Sequence, residues 1–272
     1  MRRELAPWLC GRTVASAERV DAPPGPKYAG LDRLRGRRIE AVRRRGKFLL
    51  LPLSGAVAEE LIVHLGMTGV LSANPPAGHL RVRLRLDGPE PSTLYFRDVR
   101  RFGRFTVVPA GDYRSLPTLA ALGPDALAPE FTPEGFAGSL GRSGMAIKPL
   151  LLSQRAVAGV GNIYADEALW RSRLHPERSA SRLTKRQVTA LHAAIVAVLE
   201  ESVALQGTTL HDYRTLGGRS GSFLERLAVY GRAGESCPRC GGTVVRLVVG
   251  QRGTHVCPRC QPAPQRRSRP PG

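Results

Sequence analysis

Acidic residues are scarce in this chain of 272 residues, which has 41 lysines and arginines but only 22 aspartates and glutamates. The formal net charge is +19 and the sequence pI is about 11.1. Arginine supplies most of the positive charge, and its planar guanidinium suits phosphate groups, so we expect a polyanionic partner, above all nucleic acid. Arginine-rich composition is also common in proteins encoded by GC-rich genomes, and charge alone does not separate the two explanations.

Long apolar runs and targeting signals are missing as well. No run of about 18 apolar residues occurs, so we expect no membrane span. The N-terminal segment has neither the apolar core nor the small-residue cleavage site of a signal peptide, which predicts a cytoplasmic protein. Hydrophobic residues make up 42% of the chain and charged residues 23%, and this balance excludes wholesale disorder.

Cysteine is also rare, but its placement is informative. Four of the five cysteines form two C-x2-C pairs, Cys237 with Cys240 and Cys257 with Cys260, and sixteen residues separate the pairs. Four thiolates at this spacing predict one tetrahedral Zn2+ site, structural because no position stays open for a catalytic water. The alternative, two redox pairs, lacks the βαβ pattern of a thioredoxin-like motif. Cys10 stands alone.

Alternating apolar and polar residues predict β-strands in the first part of the chain. From Leu80 to Leu86 apolar residues alternate with three arginines, which predicts a strand with one buried and one basic face. Further strands are predicted at 38–42, 47–53, 61–71, 93–96 and 104–108. Short antiparallel strands at this spacing favour a β-sandwich or barrel.

Helical periodicity takes over after a proline-rich connection at 117–133. The clearest helix begins at Thr184, where Gln187 completes a capping box, and extends towards Gly207. Shorter helices are predicted at 2–10 and 162–174. The segment 229–261 is predicted to form a cysteine-flanked hairpin, followed by a disordered tail rich in proline and arginine.

Three segments outside the cysteine pairs suit contact with nucleic acid. Glycines precede the helix that begins near Asn162, where free N–H groups favour a phosphate, although Asn162 could be an N-cap only. The turn from Asp98 to Gly103 combines arginines with Phe102, an aromatic that could enter a base stack. Arg252 lies at the tip of the predicted hairpin, where it could contact a phosphate or simply be solvated.

Taken in order, these segments closely resemble the formamidopyrimidine-DNA glycosylase family from Arg2 to Gln261. The segments that carry the resemblance are His64 to Gly69, Asp98 to Gly103, Ala146 to Pro149, Gly159 to Glu167, Gly207 to Leu210, Val229 to Arg232 and the cysteine hairpin. The resemblance implies an α+β protein with an N-terminal antiparallel β-sandwich at 1–116, a helix-two-turn-helix domain at 117–228, a β-hairpin zinc finger at 229–262 and a disordered tail at 263–272.

The resemblance also implies roles for individual residues. Lys47 matches the lysine of β-elimination and phosphate contact, and Arg252 matches the arginine of δ-elimination. Met67, Arg100 and Phe102 match the three residues that fill the void left by a flipped-out base. Further DNA-contacting positions are matched by His79, Lys148, Asn162 and Tyr230, and by Arg142 in a basic stretch. The glycine-rich loop at 216–222 is expected to cover the flipped base.

The start of the sequence departs from the family pattern. The family begins Pro-Glu-Leu-Pro-Glu-Val-Glu once its initiator methionine is removed, and its proline is the nucleophile at the sugar C1′, with the next glutamate as acid/base partner. This sequence begins Met1-Arg2-Arg3-Glu4, which corresponds to the first helix of the family. Either the start is assigned too far downstream, or the chain is truncated. We favour the first because Lys47 and Arg252 are present.

The function expected from the resemblance is base excision repair. A bifunctional glycosylase of this family removes oxidised purines such as 8-oxoguanine from double-stranded DNA and cleaves the abasic site by β,δ-elimination. One structural Zn2+, a DNA partner and a monomeric state are expected with it. The main alternative is a catalytically incomplete protein that binds lesions or abasic sites. A generic zinc-ribbon nucleic-acid-binding module would explain the charge and the cysteines but not the order of the motifs.

Overall fold

A computed structural model describes residues 1–208 and 221–264, which form two compact units. The first contains Met1–Ala120 and the described part of Leu205–Leu224. The second contains Ala121–Ala204 and the described part of Glu225–Gly272. The predicted domain boundaries at 116, 228 and 262 remain predictions, and most of the predicted disordered tail lies outside the described residues.

Two four-stranded antiparallel sheets form the first unit. In spatial order, the first sheet contains β1 (Val14–Arg19), β6 (Leu80–Leu86), β7 (Thr93–Asp98) and β5 (Gly69–Ser72). The second contains β2 (Arg43–Arg45), β3 (Phe48–Leu53), β4 (Glu59–His64) and β8 (Arg104–Pro109). The unit also contains the helices α1 (Arg2–Leu9) and α2 (Pro117–Ala120) and the 3-10 turns Pro26–Tyr28 and Leu31–Leu34.

One apolar cluster joins the two sheets, as expected for a β-sandwich. The cluster takes side chains from both sheets, including Leu51, Leu61, Val82, Leu84, Phe96 and Phe105. Leu5 and Leu9, four residues apart on α1, are buried in the same cluster. The predicted β-sandwich with an N-terminal helix is therefore confirmed.

Two of the predicted strands are wrong. The apolar run at 61–71 divides into β4, which ends at His64, and β5, which begins at Gly69, and these strands lie in different sheets. Gly66 between them has a φ of +65°, in the left-handed region that favours glycine. Residues 38–42 form no strand but only two isolated bridges, Thr13 with Arg38 and Ile39 with Leu53.

The helical part of the second unit surrounds an apolar core of its own. Its helices are α3 (Pro133–Gly141), α4 (Ile147–Leu152), α5 (Asn162–Arg171) and α6 (Lys185–Ala204), with 3-10 turns at Ala180–Arg182 and Phe223–Arg226, the latter divided between the units. The predicted capping box is confirmed: the Gln187 N–H donates to Thr184 Oγ1 at 3.3 Å, and the Thr184 N–H donates to Gln187 Oε1 at 3.0 Å.

Helix α6 is long and apolar enough to cross a membrane by length and composition alone, with a mean hydropathy of 1.3. Leu191 and Ile195 on this helix are buried in the core of the second unit. A core helix of a soluble protein passes the same test. The absence of a membrane span remains a prediction.

The C-terminal part of the second unit is the predicted hairpin. It consists of β9 (Val245–Val249) and β10 (Arg252–Val256), paired in antiparallel register. Gly250 and Gln251 form the two-residue turn, with φ values of +56° and +61°. Two successive positive φ values are characteristic of a type I′ turn, which matches the twist of the strands it connects. The turn leaves Arg252 as the first residue of β10.

Candidate nucleic-acid surfaces and metal centre

The four paired cysteines converge at the base of the hairpin. The sulfur atoms of Cys237, Cys240, Cys257 and Cys260 all lie within 4.8 Å of one another. Two of the separations are 3.5 Å for Cys240–Cys257 and 3.9 Å for Cys237–Cys260. Zn–S bonds of about 2.3 Å in a tetrahedron place sulfurs roughly 3.8 Å apart, so this donor set fits one Zn2+. Four thiolates complete the coordination, and the zinc is structural.

The metal centre is attached to helix α5 through Trp170. The indole Nε1 of Trp170 donates to Cys237 Sγ at 3.4 Å. The Arg239 guanidinium lies 4.0 Å from the Trp170 ring centroid and donates to the Trp170 carbonyl at 2.8 Å. This cation–π contact and the bond to a ligand sulfur connect the cysteine site to the helical core.

Helices α4 and α5 hold the backbone beside Arg252. The Gly253 carbonyl accepts from Lys148 Nζ at 3.0 Å and from Asn162 Nδ2 at 3.1 Å. Lys148 also donates to Thr254 Oγ1 at 2.7 Å. The N-cap of α5 is Gly161, so the interpretation of Asn162 as an N-cap is wrong. Arg252 itself is exposed, and its main chain is thus fixed while its guanidinium is accessible.

Lys148 is fully buried, unlike Arg252 and Arg142. Its Nζ forms an ion pair with the fully buried Asp166 at 2.6 Å. Burial lowers the pKa of Lys148, with Arg252 acting in the same direction and Asp166 opposing it. This ammonium contacts the hairpin and Asp166. The predicted contact of Lys148 with DNA stays a prediction. Arg142 is exposed at the C-terminal end of α3.

Two acidic residues that the sequence analysis did not single out complete this arrangement. Asp166 Oδ2 accepts from the His255 N–H at 2.8 Å, which fixes β10 two residues beyond Gly253. Glu167 is fully buried and accepts from three consecutive N–H groups, those of Ala228, Val229 and Tyr230, at 2.9 to 3.0 Å. The signal in the sequence was the adjacent pair of acids between apolar residues in the middle of the helix, since acids are rarely buried without partners.

The first unit presents a second group of predicted residues. Met67 is 58% exposed and Phe102 is 49% exposed, and the Arg100 guanidinium lies 4.7 Å from the Phe102 ring centroid. We call these three residues the Met67 surface. They come from two loops, between β4 and β5 and between β7 and β8. The exposed His79 has a φ of +58°, and its carbonyl accepts from the Asp98 N–H at 3.1 Å.

Lys47 is exposed at the turn between β2 and β3, two residues after the last of the three arginines of β2. Its charge acts on the neighbouring His64, whose ring lies tilted against that of Phe48 with a centroid separation of 4.5 Å. Burial, followed by the positive charges of Lys47 and Arg104, lowers the pKa of His64 to about 4. The imidazole is therefore neutral at pH 7, and the Gly66 N–H donates to its Nδ1 at 3.2 Å. The predicted loop at 216–222 lies almost wholly outside the described residues.

Three family models match the chain in sequence order. The formamidopyrimidine-DNA glycosylase N-terminal domain matches residues 1–105, the H2TH domain of the same glycosylase matches 122–214, and the zinc finger found in FPG and IleRS matches 234–263. Together they cover most of the sequence.

Curated relatives and solved structures agree with the family models. Formamidopyrimidine-DNA glycosylase of Thermus thermophilus is 49% identical over 89% of this chain and 88% of its own length, and that of Deinococcus radiodurans is 45% identical over 88% and 86%. The crystal structure of the MutM (FPG) protein from Thermus thermophilus gives a TM-score of 0.88 at 48% identity, covering 96% of this chain and 95% of that one. A Lactococcus lactis FPG mutant bound to Fapy-dG DNA gives 0.84 at 32% identity, covering 96% and 97%.

Replacement of one zinc ligand tests the metal centre. We expect Cys257→Ser to lose the bound zinc, because three remaining ligands close the tetrahedron poorly and the fold of the hairpin is coupled to the metal. Zinc content by mass spectrometry and the tryptophan fluorescence should change together, because Trp170 donates to a ligand sulfur. Cys10→Ser is the matched control, since this exposed cysteine lies outside the cluster. Full zinc retention by Cys257→Ser would exclude the four-cysteine site.

Removal of the Lys148 charge tests the buried ion pair. We expect Lys148→Met to lower the free energy of unfolding by about 3–5 kcal/mol, because it leaves Asp166 buried without its cation. Urea denaturation measures the change. Arg171→Met is the control: it breaks the partly exposed pair between Arg171 and Glu201 and should cost only about 1 kcal/mol or less. Equal losses in the two variants would show that burial does not strengthen the Lys148 pair.

Proposed function

The chain belongs to the formamidopyrimidine-DNA glycosylase family, and from this premise we propose that it excises oxidised purines from double-stranded DNA and cleaves the resulting abasic site by β,δ-elimination. The family makes the chain an enzyme of base excision repair. The lesion class, the lyase reaction and the roles of individual residues are the parts that we propose. A monomeric, cytoplasmic protein belongs to the same proposal.

The observation that carries the proposal is the Met67 surface. Met67 and Phe102 are both about half exposed or more, and they lie on loops that approach each other at Gly66 and Gly103. Exposed apolar side chains on neighbouring loops are typical of an interaction surface. A base stack supplies such a partner: an apolar wedge can enter it and unstack a step, while a nearby arginine can meet the base left without its pair. Arg100 lies 4.7 Å from the Phe102 ring centroid and is exposed, which supports this use.

The proposed chemistry requires an amine that bonds to the sugar C1′ as the damaged base leaves. The resulting iminium acidifies the neighbouring sugar carbon, and loss of its proton allows the 3′ phosphate to leave, which is β-elimination. We assign Lys47 to β-elimination, where an exposed cation beside the arginines of β2 can contact the phosphate that leaves. We assign Arg252 to the second, δ-elimination, because its main chain is held by Lys148 and Asn162 while its side chain is exposed.

Borohydride trapping on an abasic duplex tests the reaction, because hydride reduces the iminium to a stable covalent adduct. The chain that begins at Met1 is compared with a chain extended at its N-terminus by the Pro-Glu-Leu-Pro-Glu-Val-Glu start of the family. We expect the extended chain to form the adduct and to release both β- and δ-products, and Arg252→Gln to accumulate the β-product. Specific binding of the abasic duplex without an adduct in either chain would instead establish the lesion-binding alternative.

The salt dependence of binding tests the proposed phosphate contact of Arg252. We expect Arg252→Gln to reduce the slope of log K against log salt by about 0.9, because each phosphate neutralised by a cation releases counterions. The control is Arg114→Gln, which removes an exposed arginine that is paired with Asp112 and lies outside the proposed surfaces. The slope should not change in the control. The same slope in both variants would remove Arg252 from the footprint.

A further inference from the structure

We infer that Asp98 is a positioning residue that fixes the Met67 surface in the conformation that enters DNA. The inference rests on the proposed function, because it assumes that this surface meets a base stack. Asp98 is the last residue of β7 and is fully buried. The evidence is a set of hydrogen bonds and close approaches within the first unit.

The two carboxylate oxygens of Asp98 hold two different loops. Oδ1 accepts from Thr68 Oγ1 at 2.6 Å, and Thr68 directly follows Met67. Oδ2 accepts from the Gly103 N–H at 2.7 Å, and Gly103 directly follows Phe102. One side chain therefore sets the separation between the loop that carries Met67 and the loop that carries Phe102. Bonds of this kind to an ionised acceptor are short and strong compared with neutral ones.

Arg100 is attached to the same network through Thr68. The Arg100 N–H donates to Thr68 Oγ1 at 3.0 Å, so the hydroxyl donates to Asp98 and accepts from Arg100. The main chain of Asp98 adds two further bonds: its N–H donates to the His79 carbonyl, and its carbonyl accepts from Arg81 Nε at 2.7 Å. Each residue of the Met67 surface is thus connected to Asp98. Met67 and Phe102 each precede a residue that is bonded to its carboxylate, and Arg100 is bonded to Thr68.

The two loops approach each other closely at glycines. A Cβ on Gly103 would lie 2.6 Å from Phe96 Cζ and 2.9 Å from Asp98 Oδ2. A Cβ on Gly66 would lie 2.7 Å from the Gly103 nitrogen. Contacts this short require glycine on both sides of the junction. The carboxylate accordingly joins two loops whose main chains are in close contact at Gly66 and Gly103.

A stabilising role alone does not account for a carboxylate at this position. A buried acid is costly to desolvate, and an apolar residue would fill a core position without that cost. Arg81, a cation of this region, donates its Nε to the Asp98 carbonyl, and both carboxylate oxygens accept from the two loops. The acid fixes the position of the two loops relative to each other. Insertion of Met67 and Phe102 into DNA requires that fixed position.

Fluorescence of 2-aminopurine placed opposite a tetrahydrofuran abasic-site analogue measures insertion without any cleavage. The test pair is Thr68→Val, which keeps the shape of the side chain but removes the hydroxyl, and Thr68→Ser, which keeps the hydroxyl. We expect Thr68→Val to slow the fluorescence change by about tenfold or more, because a displaced wedge meets the stack poorly. Thr68→Ser should stay within about threefold of the parent, because the link from Asp98 to Arg100 survives.

Substitution of Asp98 itself provides a second series. In Asp98→Asn the amide NH2 can donate to Thr68 while its oxygen accepts from Gly103, so insertion should be partly retained. Asp98→Ala loses both links and should insert more slowly than Asp98→Asn. Thermal unfolding of each variant shows whether the domain folds. If Asp98→Ala does not fold, the comparison of Thr68→Val with Thr68→Ser tests the positioning role of Asp98.

Binding of an undamaged duplex and the variant Met67→Ala separate the outcomes. Undamaged binding should change by less than about threefold in Thr68→Val, because phosphate contacts dominate it. An equal loss of insertion and undamaged binding would mean a general structural role and overturn the inference. If Met67→Ala abolishes the signal while Thr68→Val matches Thr68→Ser, the inference is also wrong. If Met67→Ala itself has no effect, the proposed function of the surface fails, and the inference with it.

Discussion

Buried carboxylates that accept from main-chain N–H groups are the interaction on which the candidate site depends. A chain with a net charge of +19 keeps most of its cations at the surface, where long side chains are poorly fixed. Asp98, Asp166 and Glu167 are buried and contact the backbone next to the residues assigned to DNA. The acids fix loops and strands, and the cations and apolar side chains on them stay exposed. Buried acids therefore fix the main chain of the site, and other residues supply the positive charge and the apolar surface that we assign to DNA.

Much of the fold was predictable because its patterns are local. The alternation at Leu80–Leu86, the capping box at Thr184 and the two cysteine pairs each depend on residues close in sequence, and the structure confirms each of them. Strands β1 and β2 were missed because their sequences, VASAER and RRR, carry no apolar alternation. They exist because neighbouring strands pair with them. A tertiary contact of this kind overrides local preference and leaves no sequence pattern.

The sequence was enough to single out the exposed residues of the candidate site. It did not reveal the buried groups that hold those residues in place. Met67, Arg100, Phe102 and Arg252 have chemistry that suits DNA, so residue type and the order of the motifs were enough to single them out, and the structure shows that all four are exposed. Their contacts with DNA stay predictions. Lys148 shows the limit of that reasoning. The family resemblance predicts a DNA contact for Lys148, and that contact stays a prediction. The sequence did not reveal that Lys148 is buried against Asp166 and the Gly253 carbonyl, since a sequence does not show which cations have an acid within reach.

The hairpin that carries Arg252 illustrates why such supports are needed. A two-stranded ribbon of five-residue strands is marginally stable in isolation. The cysteine cluster fixes its open end, Lys148 and Asn162 hold Gly253 near the turn, and Asp166 holds His255 between them. With both ends attached to helices of the same unit, little freedom remains in the main chain beside Arg252. The zinc centre and the buried ion pair thus act on one residue from opposite ends of the hairpin, and neither alone would fix it.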